Sequence, residues 1–121
     1  MKPSFLKSVS FALNGLKLAW SEKHFKIHLV ATALSVTLGF LLDITITEWC
    51  IILICIGAVL SLEMMNTAIE HFVDLVEPNY NPKAGAIKDL AAGAVLVFSI
   101  ISAFVGIMIF GKYILALLLL N

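Results

Sequence analysis

The chain has 121 residues, of which 61% are hydrophobic and only 13% are charged, and its formal net charge is zero. A soluble domain of this length needs about 25% charged residues, because polar side chains must cover its surface. The composition therefore excludes an ordinary soluble domain and indicates a membrane protein. The lysines are scattered singly, so no basic patch could follow a phosphate backbone, and we expect no nucleic-acid partner.

The first predicted element is an amphipathic helix over residues 4–21. Its apolar side chains recur with helical spacing, and its lysines and serines fall on the opposite side. The segment is too polar to span a bilayer, but it is typical of a helix in the membrane interface, with Trp20 at the level of the lipid headgroups. The alternative is an amphipathic helix packed against protein. Charged residues precede the first long apolar run, so we expect no cleaved signal peptide.

The first membrane span is predicted over residues 27–46, which is about the 20 residues that the hydrocarbon core requires. Small residues recur every four positions along it and form a ridge: Ala31, Ser35 and Gly39. Such a ridge allows another helix to approach closely.

Two further spans follow. The second is predicted over residues 49–76, beginning at an interfacial tryptophan and projecting beyond the membrane at its carboxyl end. Residues 77–85 contain two prolines and a glycine, which predicts a loop. The third span is predicted over residues 88–110, with a short apolar tail after it.

The lysines are unevenly distributed between the two ends of these spans. Seven of the eight lie in the N-terminal segment or in residues 77–88, and only Lys112 lies at the other end. The positive-inside rule then places the N-terminus in the cytoplasm and the C-terminus outside. The sequence thus predicts an all-α membrane protein with one interfacial helix and three transmembrane helices.

Polar side chains gather at the cytoplasmic ends of the three spans: Glu22, Glu63, Asn66, Glu70, Asp74, Lys88 and Asp89. Ionisable groups are costly within a membrane, so they are functional candidates by default. The four on the second span follow at spacings of three, four and four, which places them on one helix face. We therefore expect these side chains to meet at one level of the membrane.

The residue types at this level suit phosphoryl transfer. Several carboxylates with a carboxamide are ligands that Mg²⁺ or Mn²⁺ prefers, and a nearby lysine suits a phosphate. A remaining carboxylate could accept a proton from a hydroxyl group, and positioning and charge neutralisation would do most of the catalytic work. A site at this depth would suit a lipid alcohol and a water-soluble nucleotide.

Other interpretations stay open at this point. Polar residues are normal where a helix emerges into water, which mostly accounts for Asp74 and Glu77. Glu63 is harder to explain in this way because it directly follows an apolar stretch over residues 49–62. A small proton-coupled transporter or a non-catalytic membrane assembly subunit are the two alternatives from other functional classes.

Two sequence motifs lie in the second and third predicted spans. Residues 63–70 read Glu-Met-Met-Asn-Thr-Ala-Ile-Glu, with Asp74 beyond them, and residues 88–95 read Lys-Asp-Leu-Ala-Ala-Gly-Ala-Val. With residues 15–20 and 22–29 upstream, they make the chain resemble the small bacterial integral-membrane lipid kinases, the prokaryotic diacylglycerol kinase and undecaprenol kinase family. The run Phe-Lys-Ile-His at residues 25–28 looks more like the undecaprenol kinase branch.

The resemblance implies a homotrimer in the bacterial inner membrane, with active sites between subunits at the cytoplasmic surface. It implies ATP and Mg²⁺ as co-substrate and cofactor, and a membrane lipid alcohol, undecaprenol or diacylglycerol, as acceptor. The roles that it implies are a base toward the lipid hydroxyl for Glu63, metal-phosphate ligands for Glu22 and Glu70, and nucleotide-binding residues for Asn66, Lys88 and Asp89. Trp20 is expected at the lipid interface.

Overall fold

The computed structural model describes residues 2–121, and over that range its regular secondary structure is entirely α-helical. The helices, in chain order, are α1 (Phe5–Trp20), α2 (Lys23–Leu41), α3 (Ile46–Val76) and α4 (Pro82–Leu119). Three of them, α2, α3 and α4, are long and apolar enough to cross a membrane. The predicted all-α membrane architecture with an amphipathic N-terminal helix is thus confirmed.

Helix α1 begins and ends within one residue of its predicted limits. The hydroxyl of Ser4 accepts a hydrogen bond from the Lys7 amide, and the hydroxyl of Ser21 donates to the Leu18 carbonyl. These side chains satisfy backbone groups that a helix end leaves without partners. Only Ala19 of this helix is buried, so the rest of this chain does not cover the apolar side of α1.

Helix α2 corrects the predicted first span, because it begins at Lys23 and ends at Leu41, five residues before the predicted end at residue 46. A tight turn follows it. Asp43 has a φ of 50°, a conformation that a right-handed helix cannot include. The Thr45 hydroxyl then accepts a hydrogen bond from the Glu48 amide and caps α3. Residues 42–45 are therefore a turn and not the end of a span.

Helix α4 starts six residues before the predicted start at residue 88 and continues nine residues past the predicted end at residue 110. The Asn81 carboxamide oxygen accepts hydrogen bonds from the amides of Lys83 and Ala84, and Pro82 occupies the first turn, where a missing amide proton costs nothing. At 1.5 Å per residue the helix is about 57 Å long, well beyond a hydrocarbon core of about 30 Å. The loop before it therefore comprises residues 77–81 and not the predicted residues 77–85.

Helix α3 packs against both α2 and α4, and the buried apolar core lies where the turn after α2 meets α4. The core consists of Ile44, Ile52, Ile109 and Phe110. Gly39 allows close packing beside it, because a Cβ there would lie 2.6 Å from Cη2 of Trp49. The glycine of the predicted small-residue ridge thus makes room for an indole ring.

A polar cluster around the buried Glu48 joins α3 to α4 at this same end of the bundle. The Glu48 carboxylate is 8% exposed and accepts hydrogen bonds from the Lys112 ammonium and, at 2.8 Å, from the Tyr113 hydroxyl. Because its oxygens are partnered, burial of this carboxylate is tolerated. Fifteen residues of helix, about 22 Å, separate Glu48 from Glu63.

Candidate active site

A cavity of about 350 Å³ lies at the opposite end of the bundle, between α2, α3 and α4. Its lining residues come from all three helices: Glu22, His24, His28, Glu63, Asn66, Thr67, Glu70, Ala92, Val95, Leu96 and Ser99. Four of the sequence-predicted site residues therefore meet here. The helical spacing on α3 brings three of them together, and the turn before α2 supplies Glu22.

Glu63 is the most deeply buried ionisable residue of the cavity, with 5% of its surface exposed. Its Oε2 lies 3.4 Å from Nε2 of His28 on the neighbouring helix. A buried carboxylate is costly unless it is paired or hydrogen-bonded, so a helix emerging into water does not explain this position. Glu63 is thus a buried carboxylate with a histidine of the neighbouring helix beside it.

Asn66 and Glu70 form a polar pair one turn apart. The Asn66 Nδ2 donates a hydrogen bond to Oε1 of Glu70 at 3.2 Å, which fixes the orientation of the carboxamide. Its Oδ1 is buried and has no hydrogen-bond partner within residues 2–121. A buried acceptor without a partner costs about 1–3 kcal/mol, so this oxygen is well placed to accept a bond from a ligand or a cation.

Glu22 stands at the amino-terminal cap position of α2 and reaches α3. Its Oε1 lies 3.5 Å from Nε2 of His71, and both side chains are partly exposed. The contact brings the start of α2 toward the turn of α3 that carries Glu70. Glu22 is thus at the open edge of the cavity, while Glu63 is at its buried end.

The remaining predicted residues, Lys88 and Asp89, line a separate cavity of about 560 Å³ formed by the end of α3, the 77–81 loop and the start of α4. The Lys88 Nζ lies 2.7 Å from Oδ1 of Asp74, and 36% and 60% of these two side chains are exposed. Within one chain, the predicted nucleotide-binding residues are therefore divided between two cavities. Lys88 is paired with a carboxylate here.

The donor set fits a magnesium ion. Glu22, Glu70 and the unpartnered Asn66 oxygen share the first cavity. In the part of the chain that the structure describes, no three or more His, Cys, Asp or Glu side chains are grouped as a complete metal site. Magnesium in nucleotide enzymes is usually held by one or two carboxylates together with substrate phosphates and water, and Glu22 and Glu70 are two of the three carboxylates of this cavity.

Sequence reasoning did not assign the histidines at this site. His24 and His28 are four residues apart, a spacing that places both on one face of α2 and could have identified them. No comparable spacing in the sequence predicted the contact of His71 with Glu22. Trp20 is 62% exposed and does not line the cavity. Its place at the lipid interface stays a prediction.

Known proteins with similar sequences identify the family. The family model described as prokaryotic diacylglycerol kinase matches residues 10–110. The chain is 46% identical to an undecaprenol kinase of Bacillus subtilis over 107 residues, which cover 88% of this chain and 87% of that protein. It is 34% identical to a diacylglycerol kinase of Synechocystis over 86% of this chain and 61% of that protein. It is 30% identical to a diacylglycerol kinase of Escherichia coli K12 over 80% of each. The chain therefore belongs to the prokaryotic diacylglycerol kinase family and is a lipid kinase.

Proposed function

We propose that the chain transfers the γ-phosphate of ATP to the hydroxyl group of a membrane lipid alcohol at the cytoplasmic surface of the bacterial inner membrane. The observation that carries the proposal is the burial of Glu63 in a cavity that also contains Glu22, Asn66 and Glu70. A proton acceptor and a group of oxygen ligands at membrane depth are what phosphorylation of a lipid hydroxyl requires.

Glu63 acts as the general base in this proposal. Its carboxylate takes the proton of the lipid hydroxyl, the hydroxyl oxygen attacks the γ-phosphorus, and the bond to the leaving ADP oxygen breaks. The low exposure of Glu63 supports this role, because water then competes little with the lipid hydroxyl for the carboxylate. A base in this position accounts for a carboxylate that directly follows an apolar stretch.

Glu22, Glu70 and Asn66 hold the metal-bound nucleotide. Mg²⁺, when bound, neutralises charge on the phosphate oxygens during transfer. The Asn66–Glu70 hydrogen bond keeps both side chains directed toward the cavity before nucleotide binds. Lys88 and Asp89 complete the nucleotide site. When the nucleotide binds, the Lys88 ammonium leaves the Asp74 carboxylate and contacts a phosphate.

We place the complete site between subunits of a homotrimer. Within one chain, Lys88 and Asp89 line a different cavity from Glu63 and Glu70. In an assembly, Lys88 and Asp89 of a neighbouring subunit can complete the cavity that contains Glu63 and Glu70. The chain alone also buries few of its apolar side chains and leaves most of them exposed to lipid or to other subunits. Both observations support an assembly of several subunits.

Undecaprenol is the acceptor that we favour over diacylglycerol. The identity to the undecaprenol kinase is 46%, and that to the Escherichia coli diacylglycerol kinase is 30%. The test is transfer of label from γ-labelled ATP by the purified protein in detergent micelles, with the two lipids at equal mole fraction. We expect a higher kcat/KM for undecaprenol. A higher kcat/KM for diacylglycerol would make diacylglycerol the preferred acceptor. If neither lipid becomes labelled, the proposed function is refuted.

A further inference from the structure

His28 lies where two cavities meet. It lines the cavity that contains Glu63, and it also lines a second, largely apolar cavity of about 290 Å³ between α2, α3 and α4. The imidazole Nε2 is 3.4 Å from the Glu63 Oε2, with 22% and 7% of the two side chains exposed. The contact crosses from one transmembrane helix to another, so it depends on how α2 packs against α3.

Among residues 2–121, this imidazole is the one basic partner of Glu63. The other titratable groups that face the cavity are Glu22 and His24 at the start of α2 and Glu70 on α3. The residues of α4 that line it are apolar, except for the Ser99 hydroxyl. Within residues 2–121, no other Lys or His nitrogen approaches the Glu63 carboxylate to within 4.0 Å.

A buried base that accepts a proton in each turnover must also lose it. Only 5% of the surface of Glu63 is exposed to solvent, and we have placed Glu22 and Glu70 at the metal-bound nucleotide. The imidazole is the remaining proton acceptor in contact with Glu63. A neutral imidazole has one unprotonated nitrogen, which can accept a proton from a carboxylic acid beside it.

Resting on the proposed role of Glu63 as base, we propose that His28 acts through Glu63 and receives from its carboxyl group the proton of the lipid hydroxyl. The proton first moves from the hydroxyl oxygen to the Glu63 carboxylate as the new oxygen–phosphorus bond forms. It then moves to the unprotonated Nε2 of His28. The resulting imidazolium releases a proton to water through the open side of the cavity, which restores both groups for the next turnover.

The test compares His28→Ala with Thr32→Val by steady-state kinetics of the full-length protein in detergent micelles. Thr32 is a matched control because its hydroxyl donates to the His28 backbone carbonyl at 2.8 Å, so its loss disturbs the same helical turn and spares the imidazole. We expect His28→Ala to lower kcat by roughly tenfold or more with an unchanged KM for ATP, since positioned proton transfer typically contributes 10²–10⁴-fold. Thr32→Val should retain the wild-type kcat.

Chemical rescue separates proton transfer from packing. Added imidazole should restore part of the kcat of His28→Ala, whereas pyrrole, which has the same ring size without a basic nitrogen, should not. Equal rescue by pyrrole would assign His28 a packing role and overturn the proposal. So would a wild-type kcat in His28→Ala, or a loss that Thr32→Val reproduces.

A second substitution covers the case in which the alanine variant does not fold. His28→Gln keeps a side chain of similar length and an amide donor, but it cannot take up a proton, so its kcat should fall while its thermal unfolding stays close to wild type. A wild-type kcat in His28→Gln would overturn the proton-transfer step. Glu63→Gln, measured beside it, keeps the two proposals distinct. An active Glu63→Gln refutes the base, whereas an inactive Glu63→Gln with a fully active His28→Gln refutes only the role of His28.

Discussion

Replacement of Gly39 by alanine tests the packing at the turn between α2 and α3. A Cβ at this position would lie 2.6 Å and 2.7 Å from two ring atoms of Trp49 and 3.2 Å from Cδ1 of Ile44. The indole would have to move by about 0.8 Å to reach the 3.4 Å of ordinary contact. The Phe40 ring, with its centroid 4.9 Å from that of Trp49, restricts this movement.

Two opposing effects determine the size of the change. Alanine is favoured over glycine in a helix interior by about 0.5–1 kcal/mol, whereas overpacking a tight contact costs about 1–3 kcal/mol. We therefore expect Gly39→Ala to lower the free energy of unfolding by about 1 kcal/mol. Gly57→Ala is the matched control, because nothing lies within 4 Å of a Cβ there, and we expect it to be neutral or stabilising.

The assay is equilibrium unfolding in mixed micelles, with increasing mole fractions of a denaturing detergent and with circular dichroism as the signal. If Gly39→Ala is as stable as Gly57→Ala, the Trp49 ring does not occupy the space beside Gly39, and the packing that we describe at this turn is wrong.

Three further predictions concern the site and the topology. Lys88→Met should lose most activity with little change in thermal unfolding, because its pairing with Asp74 is exposed and exposed pairs contribute little. A melting temperature that falls in proportion to activity would make Lys88 structural. Glu22→Ala and Glu70→Ala should raise the Mg²⁺ concentration for half-maximal activity by roughly tenfold or more, and an unchanged requirement would remove both from the metal. A reporter fused after residue 121 should be active only outside the cytoplasm, and cytoplasmic activity would reverse the topology.

Local signals predicted α1 well and the ends of the longer helices poorly. Ser4 and Ser21 flank α1 in the sequence and do satisfy its two ends in the structure. The start of α4 was missed because Pro82 suggested a loop, although a proline after a capping asparagine is a helix start. Residues 43–48 were predicted to form a turn, but the first span was extended into it to residue 46. In the structure the positive φ of Asp43 and the extended backbone of Thr45 interrupt the helix.

Some features of the candidate site could be predicted from the sequence, and others could not. Glu63, Asn66 and Glu70 are on one helix, so their spacing alone predicts that they share a face, and they do line one cavity. The contact of His28 with Glu63 and the separate cavity of Lys88 depend on how different helices pack. The spacing of residues along one helix does not tell which residues of another helix they will contact, so these features required the structure.

The most direct test of the account is the kcat of Glu63→Gln with saturating ATP and lipid. The substitution is nearly isosteric and removes only the proton acceptor, so the helices and the assembly should remain intact. Because positioned bases contribute 10²–10⁴-fold, we predict a fall in kcat of that size, equivalent to about 3–5 kcal/mol in the barrier. Retention of more than about a tenth of the wild-type kcat by the folded variant would contradict the role of Glu63 as the base.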